Sequence, residues 1–183
     1  MASEGVYEVI EYECTLELND WDGKIASVQK RKKIRYLQNQ ITTYLDEAWG
    51  NGEILLNYRC SPGTPVDEYR LGHKTYKLIS LREFRNRGDV EEINIQWDIR
   101  NGFLLERGFW GTAINQRMKK LTVKIVFPKN RPPLHVAITE CNLQRTHNLE
   151  NATQQCSSDG RSMIVWEKEN PRLYEDYILS WKW

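Results

Sequence analysis

The 183-residue sequence is poor in the residues that mark non-globular chains. Its 11 Gly and 6 Pro make 17 of 183 residues, roughly 9%, below the average of about 12%. This composition excludes collagen-like, linker-like and disordered chains. Apolar runs are also short, such as 54–56 and 163–166, whereas a membrane-spanning helix needs about 18 consecutive apolar residues. We therefore expect no membrane span.

Charge of one sign is lacking as well. The 26 Lys and Arg residues balance 25 Asp and Glu residues, for a net charge of +1, so no overall field attracts nucleic acid or anionic membranes. Four cysteines are too few for a disulfide framework in a chain of this length and are typical of reduced thiols. The first five residues include neither a basic nor an apolar segment, so we expect no signal peptide and a cytoplasmic location.

Signatures of catalysis and of cofactor binding are missing too. The sequence contains no glycine-rich phosphate loop and no Gly-x-Ser-x-Gly nucleophile turn. Asp20 and Asp22 before Gly23 resemble part of a calcium loop. However, Leu18 stands at the first ligand position and Gln29 at the twelfth, where glutamate is required. We expect no cofactor and no bound metal, and a non-enzymatic role is favoured over an enzymatic one without deciding between them.

The sequence does contain a repeated alternation of apolar and polar residues, the pattern of strands with one buried face. The clearest strand covers 93–100, with Trp97 on its apolar face. Asn101-Gly102 follows it and is a strong hairpin signal. This hairpin predicts that 103–110 pairs with the strand over 93–100.

A second hairpin is predicted near the start of the chain. A strand over 10–18 leads into turn residues at 19–23, and the returning strand covers 24–37. Lys30 and Lys32 interrupt the apolar face of the returning strand. The interruption indicates a strand that runs past the edge of the core.

Residues 34–49 fit both a helix and a strand. Their apolar residues recur at spacings of three and four, and Gly50-Asn51-Gly52 is able to end a helix. The run Thr42-Thr43-Tyr44 favours a strand. A weaker helical candidate covers 112–120.

The remaining pattern consists of about nine or ten short strands separated by turn signals. It predicts an all-β protein: an antiparallel β-sandwich of immunoglobulin-like or jelly-roll type, with one or two short helices at most. Neither a linker nor an internal repeat is visible, so we expect a single domain over 1–183.

Tryptophan is the unusual part of the composition, with 7 Trp beside 9 Tyr and 4 Phe. Trp97 and Trp166 lie on apolar strand faces and are expected in the core. Trp21, Trp49 and Trp110 lie in or beside turns, where tryptophan is more easily exposed and contributes strongly to binding.

The chain ends on an alternating segment, 174–183, that has two interpretations. It is either a strand tied into the sheet or a half-exposed edge that pairs with a partner. We expect Trp181 to be buried more fully than Trp183, because chain ends are often loosely held. Our leading hypothesis is that turns and this edge bind a protein partner or a second copy. The predicted contact residues are Trp21, Trp49, Trp110, Tyr177, Trp181 and Trp183.

The end of the chain also carries a resemblance. The Asn170-Pro171 break is followed by Tyr-x-Leu-x-Trp-x-Trp at 177–183, which resembles the end of small β-sandwich accessory modules in bacterial signalling and defence proteins. The resemblance assigns no functional residue. It implies an accessory or signalling component of a bacterial system that works by interaction.

A second hypothesis is a small β-barrel that binds single-stranded nucleic acid through the basic hairpin. The candidate contacts are Lys30, Arg31, Lys33 and Arg35. The competing explanation is structural, since Glu11, Glu13 and Glu17 on the preceding strand are placed to pair with these cations. We favour the structural explanation by about three to one.

A third hypothesis is a cysteine-dependent hydrolase. It uses Cys141 or Cys156 as the nucleophile with His135 or His147 as the base, since a thiol needs a neighbouring base to stay ionised. The same residues are spaced too widely for a typical zinc site. Cys14 and Cys60 lie on apolar strand faces and are expected to be inert.

Overall fold

The computed structural model describes residues 5–149, 153–155 and 159–183, and in these residues every regular element is a β-strand. The strands are β1 (Tyr7–Leu18), β2 (Ile25–Tyr36), β3 (Ile41–Ala48), β4 (Glu53–Ser61), β5 (Thr64–Leu71), β6 (Lys74–Arg85), β7 (Val90–Arg100), β8 (Arg107–Ala113), β9 (Met118–Val126), β10 (Leu134–Glu140), β11 (Arg145–Asn148), β12 (Thr153–Gln155), β13 (Ser162–Glu169) and β14 (Asp176–Lys182). No helix that is able to cross a bilayer occurs in this part of the chain.

The strands form three sheets. A seven-stranded sheet has the order β12-β13-β9-β1-β2-β7-β4, a four-stranded sheet the order β11-β10-β14-β8, and a three-stranded sheet the order β3-β6-β5. The sheets pack as a sandwich-like arrangement and do not close into a barrel, so the predicted fold class is confirmed. One detail differs from a purely antiparallel sandwich, because β1 and β9 pair in parallel.

Both helical candidates of the sequence are strands and turns. Residues 34–36 complete β2 and 41–48 form β3, while 112–120 contain the end of β8, a turn and the start of β9. The second hairpin is confirmed, since β1 pairs with β2 from Leu18 and Ala26 onward.

The predicted partner of β7 is wrong. β7 pairs with β2 and β4, whereas β8 pairs with β14 in another sheet. The reason lies in Phe103, which is buried and stacks on Trp181 with ring centroids 5.9 Å apart. Burial of Phe103 takes the chain from one layer to the other directly after Asn101-Gly102.

One face of the seven-stranded sheet is covered by both smaller sheets. Its apolar side chains meet those of β3, β8, β10 and β14 in a single core. Ring contacts join the layers at four places: Phe127 to Trp181 (5.4 Å between centroids), Trp97 to Trp110 (6.2 Å), Trp166 to Tyr177 (5.2 Å) and Tyr7 to Tyr44 (5.4 Å). These rings contribute both buried area and specific geometry to the contact between layers.

β14 lies inside its sheet, between β10 and β8. The proposed edge at 174–183 is therefore wrong, because β14 has hydrogen-bonded neighbours on both sides. Trp181 at its centre is only 1% exposed. The neighbouring strand makes room for the indole with Gly108, where a Cβ atom would fall 2.2 Å from Trp181 Cζ2.

A buried ion pair joins β2 to β3. Lys30 is 7% exposed and Asp46 1%, and Lys30 Nζ lies 3.0 Å from Asp46 Oδ1. Lys30 also donates to the carbonyl of Glu47 at 2.7 Å, and the Tyr58 hydroxyl donates to Asp46 Oδ2 at 3.1 Å. Lys30 thus points into the core. The prediction that β2 runs past the core edge, made from its lysines, is wrong.

We expect the variant Asp46→Asn to lose about 3–5 kcal/mol of unfolding free energy, since removal of one partner leaves a buried ammonium without its counter-charge. Urea denaturation followed by circular dichroism measures the loss. The control Glu53→Gln breaks an exposed pair with Arg100 and should cost under about 1 kcal/mol.

A double variant, Lys30→Met with Asp46→Leu, tests the same pair without a buried charge. It should be more stable than Asp46→Asn alone, because apolar side chains of similar volume replace both ions. Equal stability of Asp46→Asn and the wild type would show that the pair does not hold β3 in place.

Candidate functional site

β8 is an edge strand whose outer side is unpaired within the described residues. The Trp183 amide donates to the Glu106 carbonyl at 3.0 Å, and the Ile114 amide donates to the Glu175 carbonyl at 2.9 Å. In an antiparallel ladder every second residue of a strand bonds to its neighbour, and the residues between point their backbone groups the other way. From Glu106 to Ile114, the even-numbered residues therefore bond to β14 and the residues on either side of it. The backbone groups that point away from β14 belong to Arg107, Phe109, Gly111 and Ala113.

A cleft runs along this free edge, and we call it the β8 cleft. It contains a cavity of about 70 Å³. Its floor comes from the seven-stranded sheet: Tyr12, Lys30, Lys32, Trp97 and Ile99. Its walls are β8 itself, residues 47–51 at the end of β3 and directly after it, and Gly102, Phe103 and Leu105 after β7.

Two of the predicted contact residues meet in the β8 cleft. Trp110 is half-buried and packs on the buried Trp97. Trp49 is half-buried and lies beside Gly111, with the Lys74 ammonium 4.7 Å from its ring centroid. Trp97, predicted as core, is indeed buried and at the same time forms part of the cleft floor.

The cleft exists because the two smaller sheets do not join. β3 and β8 are both edge strands on the same side of the sandwich, and their Cα atoms stay more than 8 Å apart along most of their length. Near the end of both strands the Glu47 side chain accepts a hydrogen bond from Asn115, which follows β8, at 2.7 Å. A second cavity of about 550 Å³ continues beyond this point along β3.

The other predicted contact residues lie elsewhere. Tyr177 and Trp181 are buried in the core, so a partner at the surface does not reach their rings. Trp183 is half-buried, packs on Phe127, and has the Arg131 guanidinium 4.1 Å from its ring centroid. Trp21 is 67% exposed in the β1–β2 turn and does not line the β8 cleft. Of the predicted contact residues, Trp49 and Trp110 line the β8 cleft, and Trp21 is exposed away from it.

The basic run on β2 is divided between the two faces of the sheet. Arg31 lies 3.3 Å from Glu92 and within 4.0 Å of Glu11 and Glu13 on the outer face. Arg35 pairs with Glu8 at 2.7 Å. The carboxylates of neighbouring strands therefore account for these cations.

The remaining two residues of that run differ in position. Lys33 is exposed and lies opposite Glu92 of β7 in the strand register. Lys30 points into the core, so the nucleic-acid hypothesis loses it as a contact. The reason is the period of two along a strand, which sends Lys30 and Arg31 to opposite faces.

The described cysteines have thiols that ionise less readily than a free cysteine. Burial, followed by the charges of Asp176 and Glu175, raises the pKa of the Cys141 thiol. His147 is exposed and its nearest charged partner is Glu140, at 3.9 Å. Burial also raises the pKa of Cys14 and of Cys60. Cys156 lies outside the described residues.

Metal binding finds no support in the same part of the chain, where no three His, Cys, Asp or Glu side chains are grouped closely enough to hold an ion. His135, the remaining candidate base, is exposed at the start of β10.

Alkylation tests the state of Cys141. Because its pKa is raised, a smaller fraction of this thiol is ionised at pH 7.5 than in an unstructured peptide. We expect iodoacetamide to modify Cys141 more slowly than a cysteine peptide at this pH, as measured by peptide mass spectrometry. In 6 M guanidinium chloride the rates should become equal, and a faster reaction of the folded protein would indicate an activated thiol.

No protein-family model matches the sequence, and no curated protein does. Solved structures do match the fold. An M1 zinc metallopeptidase from Deinococcus radiodurans is 7% identical, with a TM-score of 0.51, and the match covers 94% of this chain and 42% of that one. A provisionally named protease from Parabacteroides distasonis is 10% identical, with a TM-score of 0.59, and the match covers 99% and 41% of the two chains.

A two-domain M1 zinc metallopeptidase bound to L-tryptophan gives a similar result, with 9% identity, a TM-score of 0.53, and coverage of 96% and 43%. This chain therefore spans less than half the length of the structures it resembles. At these identities the likeness shows the β-sandwich fold alone.

Proposed function

We propose that this protein is a non-enzymatic interaction module that binds an extended segment of a partner protein along the free edge of β8. The observation that carries the proposal is the row of outward backbone groups on β8 beside a tryptophan-lined cleft. Addition of a strand to such an edge supplies backbone hydrogen bonds, and neighbouring pockets select side chains.

The side chains around β8 support binding rather than protection of the edge. Phe109 is 50% exposed and Leu105 68%, so both offer apolar area to a segment lying along β8. Trp49 and Trp110 are of the residue type that contributes most to binding energy at interfaces. Edge strands that must stay unpaired usually carry charged residues, especially lysine, or proline. β8 contains neither lysine nor proline, and its one charged residue is Arg107 at the first position.

The structural comparisons support a partner protein. In the M1 zinc metallopeptidases the matching region is a part of a longer polypeptide, so this type of sandwich occurs together with further protein. The histidines of this sequence, His73, His135 and His147, do not form the His-Glu-x-x-His motif that holds zinc in many metallopeptidases. A binding role therefore fits this chain better than peptide hydrolysis.

The variants Phe109→Pro and Phe109→Ala separate backbone pairing from side-chain contact. The Phe109 amide points away from β14, so proline removes an outward donor and leaves the β8–β14 ladder intact. We expect a random heptapeptide phage library to be enriched on the wild type, enriched less on Phe109→Ala, and not enriched on Phe109→Pro. Thermal unfolding of both variants, followed by circular dichroism, checks that they fold.

Light scattering on the same proteins identifies self-association. If the wild type is a dimer that Phe109→Pro converts to a monomer, the occupant of the β8 edge is a second copy instead of another protein. Equal enrichment on Phe109→Pro and Phe109→Ala would contradict strand addition.

A further inference from the structure

Some charged side chains of the β8 cleft have a partner of opposite charge and others do not. Lys30 is balanced by Asp46, as described above, and the Glu47 carboxylate receives both the Lys74 ammonium at 3.2 Å and the Asn115 amide at 2.7 Å. Each of these cleft charges therefore has a partner of its own.

Two cations of the cleft have no carboxylate partner among the described residues. No carboxylate in this part of the chain lies within 4.0 Å of the Lys32 ammonium or of the Arg107 guanidinium. Lys32 instead lies over aromatic rings, 4.6 Å from the centroid of Tyr12 and 5.9 Å from that of Tyr44. On the outer face of the same sheet Arg31 and Arg35 are matched by carboxylates, whereas the exposed Lys33 has none within 4.0 Å among the described residues.

The two cations lie at opposite ends of the free edge. Arg107 is the first residue of β8. Lys32 lines both cavities, as does Ala113 at the last position of β8, which places both residues at the junction of the two cavities. The six residue steps from Arg107 to Ala113 span about 20 Å along β8. An extended segment of about six or seven residues has this length.

The middle of the cleft is apolar and aromatic, and it contains a buried donor. The Trp97 indole N–H has no hydrogen-bond acceptor among the described residues, although the residue is only 2% exposed. Trp110 and Trp49 also line the cleft.

We infer that the β8 cleft selects acidic segments: its occupant is an extended stretch of a partner protein with apolar residues at the centre and an Asp or Glu side chain towards each end. One carboxylate pairs with Arg107 and the other with Lys32, while the central side chains contact Trp49 and Trp110. This inference rests on the proposed strand addition and adds the chemistry of the partner.

The test uses the random heptapeptide phage library on the wild type and on three variants. The wild type should enrich peptides with Asp or Glu near both ends and an aromatic or aliphatic centre. The variants Arg107→Gln and Lys32→Gln should each lose enrichment of acid near one end. Arg145→Gln is the matched control, because Arg145 is an exposed cation on β11 at the opposite edge of the same sheet and should leave the selection unchanged.

One enriched peptide is then synthesised, together with a copy in which Asn and Gln replace its acids. Fluorescence anisotropy should show the neutral copy binding the wild type about three- to tenfold more weakly per acid removed, with the difference shrinking at 0.5 M salt. On Arg107→Gln the two peptides should differ less than on the wild type.

The outcomes separate this inference from the function on which it rests. Enrichment of neutral or basic peptides that is lost in Phe109→Pro would overturn the acidic selection and leave strand addition intact. Absence of any enrichment on the wild type would overturn both. Loss of acid selection in Arg145→Gln as well would show that the charge of the whole protein, not the cleft, attracts the acids.

Discussion

The ammonium of Lys30 lies in the core between two layers, and the position of β3 depends on how its charge is balanced. Asp46 supplies the counter-charge, and the Glu47 carbonyl and the Tyr58 hydroxyl complete the hydrogen bonds. A buried pair is costly if either partner is missing, so β3 is tied to one location above β2. Trp49, which directly follows β3, is thereby placed opposite β8.

This constraint explains why the second layer of the sandwich is divided. β3 is fixed by an ion pair to the sheet below it, while β8 is fixed by β14 and by the close approach of Gly108 to Trp181. Neither strand is free to move sideways to close the gap between them. In the part of the chain that the structure describes, each keeps an unpaired edge, and the cleft between them has the seven-stranded sheet as its floor. The candidate site thus follows from the same contacts that hold the layers together.

Alternation along the chain was sufficient to predict the strands and the sandwich, because burial of one sheet face imposes a period of two on each strand separately. It did not predict that β8 pairs with β14, since that pairing depends on Phe103 entering the core beneath Trp181. The sequence pattern also gave the wrong position for Lys30, which was expected beyond the core edge. A lysine at an apolar position of a strand indicates either the end of the core or a buried partner. Only the fold shows that Asp46 is that partner, and hence that Trp49 and Trp110 share a cleft.

The near-zero net charge of the sequence conceals three different situations. On the outer face of the seven-stranded sheet, Arg31 and Arg35 of β2 pair with carboxylates on neighbouring strands. Such exposed pairs contribute little to stability because water still solvates both charges. Inside the sandwich, Lys30 pairs with Asp46 at short range, because a buried ammonium without a counter-charge is strongly destabilising. Lys32 shares the inward face of β2 with Lys30, but among the described residues its ammonium lies near aromatic rings and no carboxylate. Lys32 is half-buried at the cleft floor, so a segment that displaces solvent from its ammonium has to supply the missing carboxylate.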